Sequence, residues 1–252
     1  MLLAIDVGNT ETKLGCFEGE QLLQSWRVTT DAKRTGDEVG LLFVQLFAAA
    51  GMQPSSIDRI AIASVVPKLD SSLEVACKRY FNCTPSFLKA HRQSLMEVVT
   101  DRPGEVGADL VAAAIGARAL FGAPLIVISY GTATVFMAIS EQGKYMGVAI
   151  APGINISIDA LVGRTAKLPQ IALEAPKHAI GRDTIGALQS GIVYGFAGQT
   201  EAIVARFRAE MGVDAPVIAT GGLAKVIAQH TKVIDDVNTS LSLIGLQRFS
   251  AT

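Results

Sequence analysis

Length, composition and charge limit the class of protein. The chain has 252 residues, of which 50% are hydrophobic, and a formal net charge of -1, so it is long enough for one large or two small domains with a sizeable core. The near-neutral charge gives no reason to expect a nucleic acid or an anionic membrane as partner. The three cysteines (Cys16, Cys77 and Cys83) lack metal-ligand spacing, which predicts thiols in a reducing cytoplasm.

The first sixteen residues predict a hairpin with a polar tip. An apolar run ends in Asp6, a tight turn follows at Gly8, and alternation then resumes around Lys13. Gly8 lets backbone N–H groups approach an anion, while Thr10 and Lys13 add a hydroxyl and a cation. Asp6 is suited to hold a hydrated Mg²⁺ that bridges phosphate oxygens. On spacing alone, an ordinary hairpin with a polar tip explains the stretch equally well.

The remaining elements follow from apolar periodicity and turn residues. We expect strands at 21–29, 57–66 and 84–89, and helices at 37–50, 70–81 and from Asp109 to about 121. The stretch 110–128 is apolar enough to resemble a membrane span, but Arg118 in its middle favours a buried helix, a turn and a buried strand. From 125 the strand, glycine turn and strand repeat, followed by a strand at 145–150 and one at 215–219. Helices are expected at 152–161, 183–211 and 223–230.

The repeated pattern predicts two related α/β domains, 1–121 and 122–252, that face one another. Ligands of α/β folds bind where strand ends meet helix starts, so a nucleotide would lie between the two glycine turns. The later turn formed by Thr220, Gly221 and Gly222 is suited to form a third wall, where a nucleoside lies on bare backbone.

Seven short motifs, in order along nearly the whole chain, resemble those of type III pantothenate kinases. They are Asp6-Val7-Gly8-Asn9-Thr10 with Lys13, Ser64-Val65-Val66-Pro67, Glu105-Val106-Gly107-Ala108-Asp109, Gly131-Thr132-Ala133-Thr134, Thr165-Ala166-Lys167-Leu168-Pro169, Gly181-Arg182-Asp183-Thr184 and Thr220-Gly221-Gly222. The resemblance implies two ribonuclease H-like domains of the actin-like ATPase and sugar kinase superfamily. It also implies a homodimer that phosphorylates pantothenate from ATP, the first step of coenzyme A synthesis, with Mg²⁺ and a monovalent cation such as K⁺ or NH₄⁺.

The resemblance also implies roles for individual residues. Asp109 would be the general base that takes the proton of the pantothenate hydroxyl. The residues implied at ATP phosphates, the nucleoside and the Mg²⁺ shell are Asp6, Val7, Gly8, Asn9, Thr10, Lys13, Thr132, Gly221 and Gly222. Those implied at pantothenate are Gly107, Ala108, Leu110 and Thr184, and Ser129 stands at the monovalent-cation position. Without the family, Asp109 at a helix start reads more simply as an N-cap.

Three positions depart from the family pattern. Leu110 stands where relatives usually have arginine, Ser129 where they have aspartate, and Thr100 where they often have tyrosine. Ser129 offers a cation no charge, so we expect weaker monovalent-cation binding. Leu110 cannot form a charge-assisted bond to a substrate carboxylate, and the chain would need Lys167 or a nearby arginine in its place.

These departures leave three functional hypotheses open. The first is a working kinase with altered cation dependence or a changed acceptor, favoured by the retention of Asp6, Lys13, Asp109 and Thr132. The second is a degenerate paralogue that binds nucleotide as a regulatory or partner subunit without turnover. The third is a related phosphatase or polyphosphate hydrolase in which the carboxylate at 109 activates water.

Overall fold

The computed structural model describes residues 1–165 and 168–251. The chain divides into two compact units. Unit 1 comprises Met1–Leu120 together with Leu241–Thr252, and unit 2 comprises Phe121–Ser240. The expected role of Lys167, and the middle of the motif to which it belongs, lie outside the described residues.

Ten strands and seven helices make up the described chain, with two short 3₁₀ helices at Pro54–Ser56 and Pro103–Glu105. The strands are β1 (Leu2–Val7), β2 (Glu11–Glu18), β3 (Gln21–Thr29), β4 (Arg59–Ser64), β5 (Ser86–Phe87), β6 (Leu125–Tyr130), β7 (Ala133–Ile139), β8 (Tyr145–Pro152), β9 (Val217–Thr220) and β10 (Asp236–Val237). The helices are α1 (Gly36–Ala49), α2 (Pro67–Phe81), α3 (Ala108–Phe121), α4 (Ile154–Gly163), α5 (Thr184–Met211), α6 (Ala224–Ala228) and α7 (Leu241–Phe249).

The two units contain sheets of the same topology. In unit 1 the strand order is β3-β2-β1-β4-β5, with β1 to β3 an antiparallel meander and β4 and β5 parallel to β1. In unit 2 the order β8-β7-β6-β9-β10 repeats this arrangement strand for strand. The central strands β1 and β6 are almost wholly buried, which explains why both appear in the sequence as continuous apolar runs rather than alternating ones.

Most predicted elements are confirmed to within a few residues. The strand at 21–29 is observed with those ends, and the apolar stretch 110–128 divides into helix α3 and strand β6 as expected. The edge strand expected at 84–89 is only Ser86–Phe87, and the helix expected at 223–230 is only Ala224–Ala228. In the part of the chain that is described, none of the helices combines the length and apolarity needed to cross a membrane.

The C-terminal residues lie in a different unit from the one predicted. They were expected to lie in the second domain, but α7 packs in unit 1 against β1, β2, β4 and α3. A Cβ on Gly116 of α3 would lie 2.0 Å from the Leu241 carbonyl oxygen, and one on Gly245 of α7 would lie 1.8 Å from the Ala112 carbonyl oxygen. Glycine is therefore needed at both positions, because the backbones of α3 and α7 touch where they cross.

Candidate functional site

Asp6 and Lys13 form an ion pair at the end of β1. The antiparallel register of β1 and β2 places Lys13 directly opposite Asp6, so both side chains point to the same face of the sheet. The Lys13 Nζ lies 3.7 Å from the Asp6 Oδ2, and the side chains are 21% and 8% exposed. The hairpin thus holds a carboxylate and an ammonium group together with little access to water.

Asp109 is the second residue of α3. Helical hydrogen bonding begins at Gly107, whose carbonyl oxygen accepts from the Val111 N–H at 3.2 Å. The Asp109 Oδ1 accepts from the Leu110 N–H at 2.9 Å, within its own first turn. Asp109 therefore lies inside the helix rather than before it, and the simple N-cap interpretation does not describe its position.

The pKa of Asp109 is raised from 3.8 to about 6. Burial is the largest cause, and the negative charge of Asp6 is the second. Hydrogen bonds from the backbone N–H groups of Leu110 and Asp109, and the charge of Lys13, lower the pKa but do not offset these effects. Asp6, Lys13 and Asp109 thus act on one another electrostatically, which joins two predicted motifs that are separated by about ninety residues of sequence.

Gly107 makes room for the Asp109 carboxylate. A Cβ on Gly107 would lie 2.5 Å from the Asp109 Oδ1 and 3.5 Å from a methyl group of Val65. Ala108 is buried, whereas Asp109 and Leu110 are partly exposed. Any larger residue at 107 would displace the carboxylate from its present position, since no Cβ contact that short occurs in real structures.

The turn between β1 and β2 exposes its tip and buries its base. The Gly8 N–H donates to the Glu11 carbonyl oxygen at 3.0 Å, and Asn9 and Thr10 at the tip are exposed. Val7 differs from this group: its side chain is fully buried and its carbonyl oxygen accepts from the Val65 N–H at 3.1 Å. The side chain of Val7 therefore belongs to the core of unit 1.

Unit 2 carries its own glycine turn at the end of β6. The parallel register pairs Ser129 with Thr220, so Ser129 and the turn at Gly221 lie together at the carboxyl ends of β6 and β9. Gly221 has φ +96°, and a Cβ there would lie 2.3 Å from the Tyr130 carbonyl oxygen. The exposed Thr132 turn packs against Gly153, where a Cβ would lie 2.1 Å from the Thr132 carbonyl oxygen. Two glycines thus define the shape of this turn.

Two further predicted residues are exposed in unit 2. Gly222 directly follows Gly221 in the turn after β9. Thr184 is the first residue of α5, next to the N-cap Asp183, whose Oδ1 accepts from the Gly186 N–H at 2.8 Å. The local bonding at Thr184 is that of a helix start, so its contact with a substrate stays a prediction.

The structure adds Ser242, which sequence reasoning missed, to the Asp6 cluster. The Ser242 Oγ donates to the Asp6 Oδ2 at 2.5 Å, and the two residues are each 6% exposed. Asn238, Thr239 and Ser240 before the mostly apolar residues 241–246 are a helix-start signal from which α7 could have been predicted, but no helix was predicted there. Periodicity cannot show that this helix returns to β1, so no local signal identifies the contact.

The carboxylates of unit 1 are suited to Mg²⁺. Across the described residues there is no group of three or more His, Cys, Asp or Glu side chains that could hold a metal by themselves. Mg²⁺ usually keeps several waters and binds one or two carboxylates together with substrate phosphates, rather than a cage made by the protein. Asp6 supplies one carboxylate for this mode, next to a turn whose tip at Asn9 and Thr10 is exposed.

Comparisons with known proteins agree with these features. A model of the type III pantothenate kinase family matches residues 2–206. The chain is 46% identical over 247 residues to a type III pantothenate kinase of Myxococcus xanthus, which covers 98% of this chain and 96% of that protein. A similar protein from Listeria welshimeri is 42% identical over the same length, 98% of this chain and 95% of that protein.

Solved structures share the fold at low identity. The activator of the 2-hydroxyisocaproyl-CoA dehydratase from Clostridium difficile, with bound ADPNP, matches with a TM-score of 0.52 and 12% identity over 99% of this chain and 92% of that chain. The ethanolamine utilization protein EutJ from Carboxydothermus hydrogenoformans matches at 0.58 and 15%, over 98% and 89%. The expected α/β fold is therefore confirmed, and it is shared with solved activators and sugar kinases.

Proposed function

Because the chain belongs to the type III pantothenate kinase family, we propose that it transfers the γ-phosphoryl group of ATP to the hydroxyl of pantothenate. The product is 4'-phosphopantothenate, and the reaction is the first step of coenzyme A biosynthesis. The observation that carries the proposal is the group formed by Asp6, Lys13 and Asp109, because Asp109 combines a raised pKa with a partly exposed position at a helix start.

Asp109 is proposed as the general base. As the hydroxyl oxygen of pantothenate forms a bond to the γ-phosphorus, the bond from that phosphorus to the β–γ bridging oxygen breaks and ADP leaves. The hydroxyl proton passes to Asp109. With a pKa of about 6, the carboxylate is mostly ionised at neutral pH, yet it is more basic than an ordinary aspartate. Phosphoryl transfer needs little covalent chemistry from the protein, so orienting the alcohol is the main task.

The turn between β1 and β2 is proposed to bind the phosphates. Gly8 closes the turn by donating its N–H to the Glu11 carbonyl oxygen, and the exposed tip at Asn9 and Thr10 suits phosphate oxygens. Lys13 adds a positive charge beside the turn. Asp6 would hold Mg²⁺, which would supply positive charge to the phosphates. Asp6 is kept in place for this by its contacts with Lys13 and Ser242.

Unit 2 is proposed to contact ATP through Thr132, Gly221 and Gly222. Thr132 and Gly222 are exposed, and the lack of a side chain at Gly222 leaves bare backbone for a nucleoside. Gly221 is buried against Tyr130 and holds the turn in this shape. Ser129, the last residue but one of β6, has a neutral hydroxyl in place of the carboxylate usual in the family. We therefore expect a weak or absent dependence on K⁺ or NH₄⁺.

Pantothenate is proposed to bind at the start of α3, along Gly107, Ala108 and Leu110, with Thr184 as a further contact. Leu110 is partly exposed, so an apolar side chain replaces a cation at the wall of this site. A substrate carboxylate loses a charge-assisted hydrogen bond there, typically worth about 1.5–3 kcal/mol. We expect a high KM for pantothenate as a result.

A homodimer is proposed through the outer face of unit 2. Strand β8 lies at the edge of its sheet and exposes Met146, Val148 and Ile150 on one side, with Ile150 67% exposed. Ile156 of α4 adds to the apolar exposure. An edge strand with this much apolar surface is usually covered by a partner.

The cytoplasm is proposed as the compartment. Cys16 and Cys77 are buried free thiols, and burial raises the pKa of each to about 12. Such thiols stay protonated and unreactive, as expected of cysteines in a reducing compartment.

The activity is tested by measuring ADP release from ATP and pantothenate by the purified protein, with Mg²⁺ and with K⁺ or Na⁺. We expect phosphopantothenate to form in equal amount and the Asp109→Asn variant to lose this turnover. Absence of turnover with pantothenate, pantetheine and pantoate would contradict the proposal. ATP-dependent thermal stabilisation without turnover would then support the regulatory subunit, and phosphate release without an alcohol would support a hydrolase.

A further inference from the structure

The Asp6 carboxylate accepts two contacts from different parts of the chain. Ser242 in α7 donates its hydroxyl hydrogen to Oδ2 at 2.5 Å, and the Lys13 Nζ lies 3.7 Å from the same oxygen. Asp6 is 6% exposed, so few water molecules compete for this oxygen.

The hydroxyl of Ser242 is held rigidly. Helix α7 touches α3 backbone to backbone at Gly245, where no Cβ fits. At its other end the Gln247 Nε2 donates to the Gly19 carbonyl oxygen at 2.9 Å, and Arg248 contacts Glu20. The helix is thus anchored to the turn between β2 and β3 as well as to α3. A donor on such a support fixes the direction of its acceptor more firmly than one on a loop would.

We propose that Ser242 is a positioning residue for nucleotide-bound Mg²⁺, acting by holding the Asp6 carboxylate in one orientation. This inference rests on the proposed function, because it takes Asp6 as the residue that faces the metal. Ser242 itself touches neither nucleotide nor metal. Groups that hydrogen-bond a metal ligand in this way commonly change metal affinity or activity by about 10- to 100-fold when they are removed.

The role predicts a particular kinetic pattern for Ser242→Ala. The Asp6 carboxylate loses a donor and becomes free to turn, so more Mg²⁺ is needed to bring it to the productive orientation. We expect the Mg²⁺ concentration for half-maximal rate to rise by about 10- to 100-fold, while kcat at saturating Mg²⁺ falls much less. The Ser242→Thr variant keeps the hydroxyl and is expected to recover most of the Mg²⁺ affinity.

Gln247→Ala is the matched control. It removes a hydrogen bond of the same helix at a residue that is also buried, but it leaves the contact between Ser242 and Asp6 unchanged. A purely structural role of α7 would make both variants alike. We expect Gln247→Ala to lower the melting temperature and to leave the Mg²⁺ dependence as in the original chain.

The experiment measures binding of Mg·ADP by calorimetry, alongside melting temperature, for the unchanged protein and the three variants. Weaker binding of Mg·ADP in Ser242→Ala alone, with recovery in Ser242→Thr, supports the proposal. Equal binding by the unchanged protein and Ser242→Ala overturns it and leaves the proposed kinase intact. Equal weakening in Gln247→Ala also overturns it. If the unchanged protein binds no Mg·ADP, the proposed function fails and takes this inference with it.

Discussion

The two hairpins that begin the two sheets share a topology but differ in chemistry. In unit 1 the cross-strand partner of Asp6 is Lys13, and Ser242 adds a third polar group. In unit 2 the position that matches Asp6 is Ser129, and its cross-strand partner is the apolar Val135. The hairpin end of unit 1 therefore carries charges, whereas that of unit 2 is neutral and has closer backbone contacts at its glycines. The repeated fold thus gives two hairpins of the same topology, and only their side chains decide which of them carries charge.

The largest expected effect distinguishes the charged residues of unit 1 from the neutral turn of unit 2. Asp109→Asn removes the base and is expected to lower kcat by about 10²- to 10⁴-fold. Thr132→Ala, in the turn of unit 2, is expected to lower it by about tenfold or less, because it removes one neutral hydrogen bond. Steady-state kinetics with both variants measure the difference. Similar losses in the two variants would show that Thr132 contributes as much to turnover as Asp109 does.

The same substitution is expected to stabilise the fold at neutral pH. An acid whose folded pKa is raised from 3.8 to about 6 loses stability as the pH rises through that interval, and the full cost of ionisation is present above pH 6. Removing the charge recovers up to about 3 kcal/mol. Thermal melting at pH 7 and at pH 4 should show Asp109→Asn more stable than the original chain only at pH 7. A stabilisation that is equal at both pH values would contradict the raised pKa.

The glycines of the two turns are expected to differ in tolerance. Gly221→Ala combines a positive φ with a Cβ 2.3 Å from a carbonyl oxygen, so we expect a loss of about 2–5 kcal/mol in the free energy of unfolding. Gly8→Ala places its Cβ 3.0 Å from the Glu11 carbonyl oxygen and is expected to cost about 1 kcal/mol. Chemical denaturation of both variants measures the two losses. Equal losses would contradict the view that only the turn of unit 2 depends on close backbone contact.

The pH dependence of turnover follows from the charges in unit 1. Since Asp109 must be ionised to accept a proton, kcat/KM should rise with pH through about pH 6 and level off above it. At pH 5 the rate should be about tenfold below the plateau, because about one carboxyl group in eleven is ionised. Rates measured from pH 4.5 to 8 test this. A flat profile over that interval would exclude Asp109 as the base.

The smallest expected effect comes from adding a charge to the second turn. Ser129→Asp places a carboxylate at the end of β6, where Thr220 is its parallel neighbour. We expect K⁺ to raise the rate of this variant by a few-fold over Na⁺ and to leave the original chain nearly unchanged. Comparing the rates of both proteins in the two salts measures the effect. Strong K⁺ activation of the original chain would show that the Ser129 hydroxyl suffices for the cation.

Some residues could be predicted because their signals are local. The apolar run before Asp6, the turn at Gly8 and the alternation around Lys13 predict the hairpin, and the same pattern at 125–140 predicts its repeat. Asp109 stands out through its motif and the alanine-rich helix that it begins. The order of the seven motifs along the chain predicts the family, and the family implies the fold.

Other features depend on where the chain returns. No helix is predicted at 241–249 in the sequence analysis, and contacts made in three dimensions, among them the crossing of Gly116 and Gly245, assign α7 to unit 1. The same packing places Ser242 in the site, because its hydroxyl contacts Asp6 although the two residues are 236 positions apart in sequence. The raised pKa of Asp109 likewise arises from its burial and from the charge of Asp6. Both causes depend on the tertiary structure and not on the residues next to Asp109 in sequence. Sequence by itself thus determined most of the elements and most of the residues of the site. The tertiary structure decided which of them meet, because hydrogen bonds and charges act through distance in space and not along the chain.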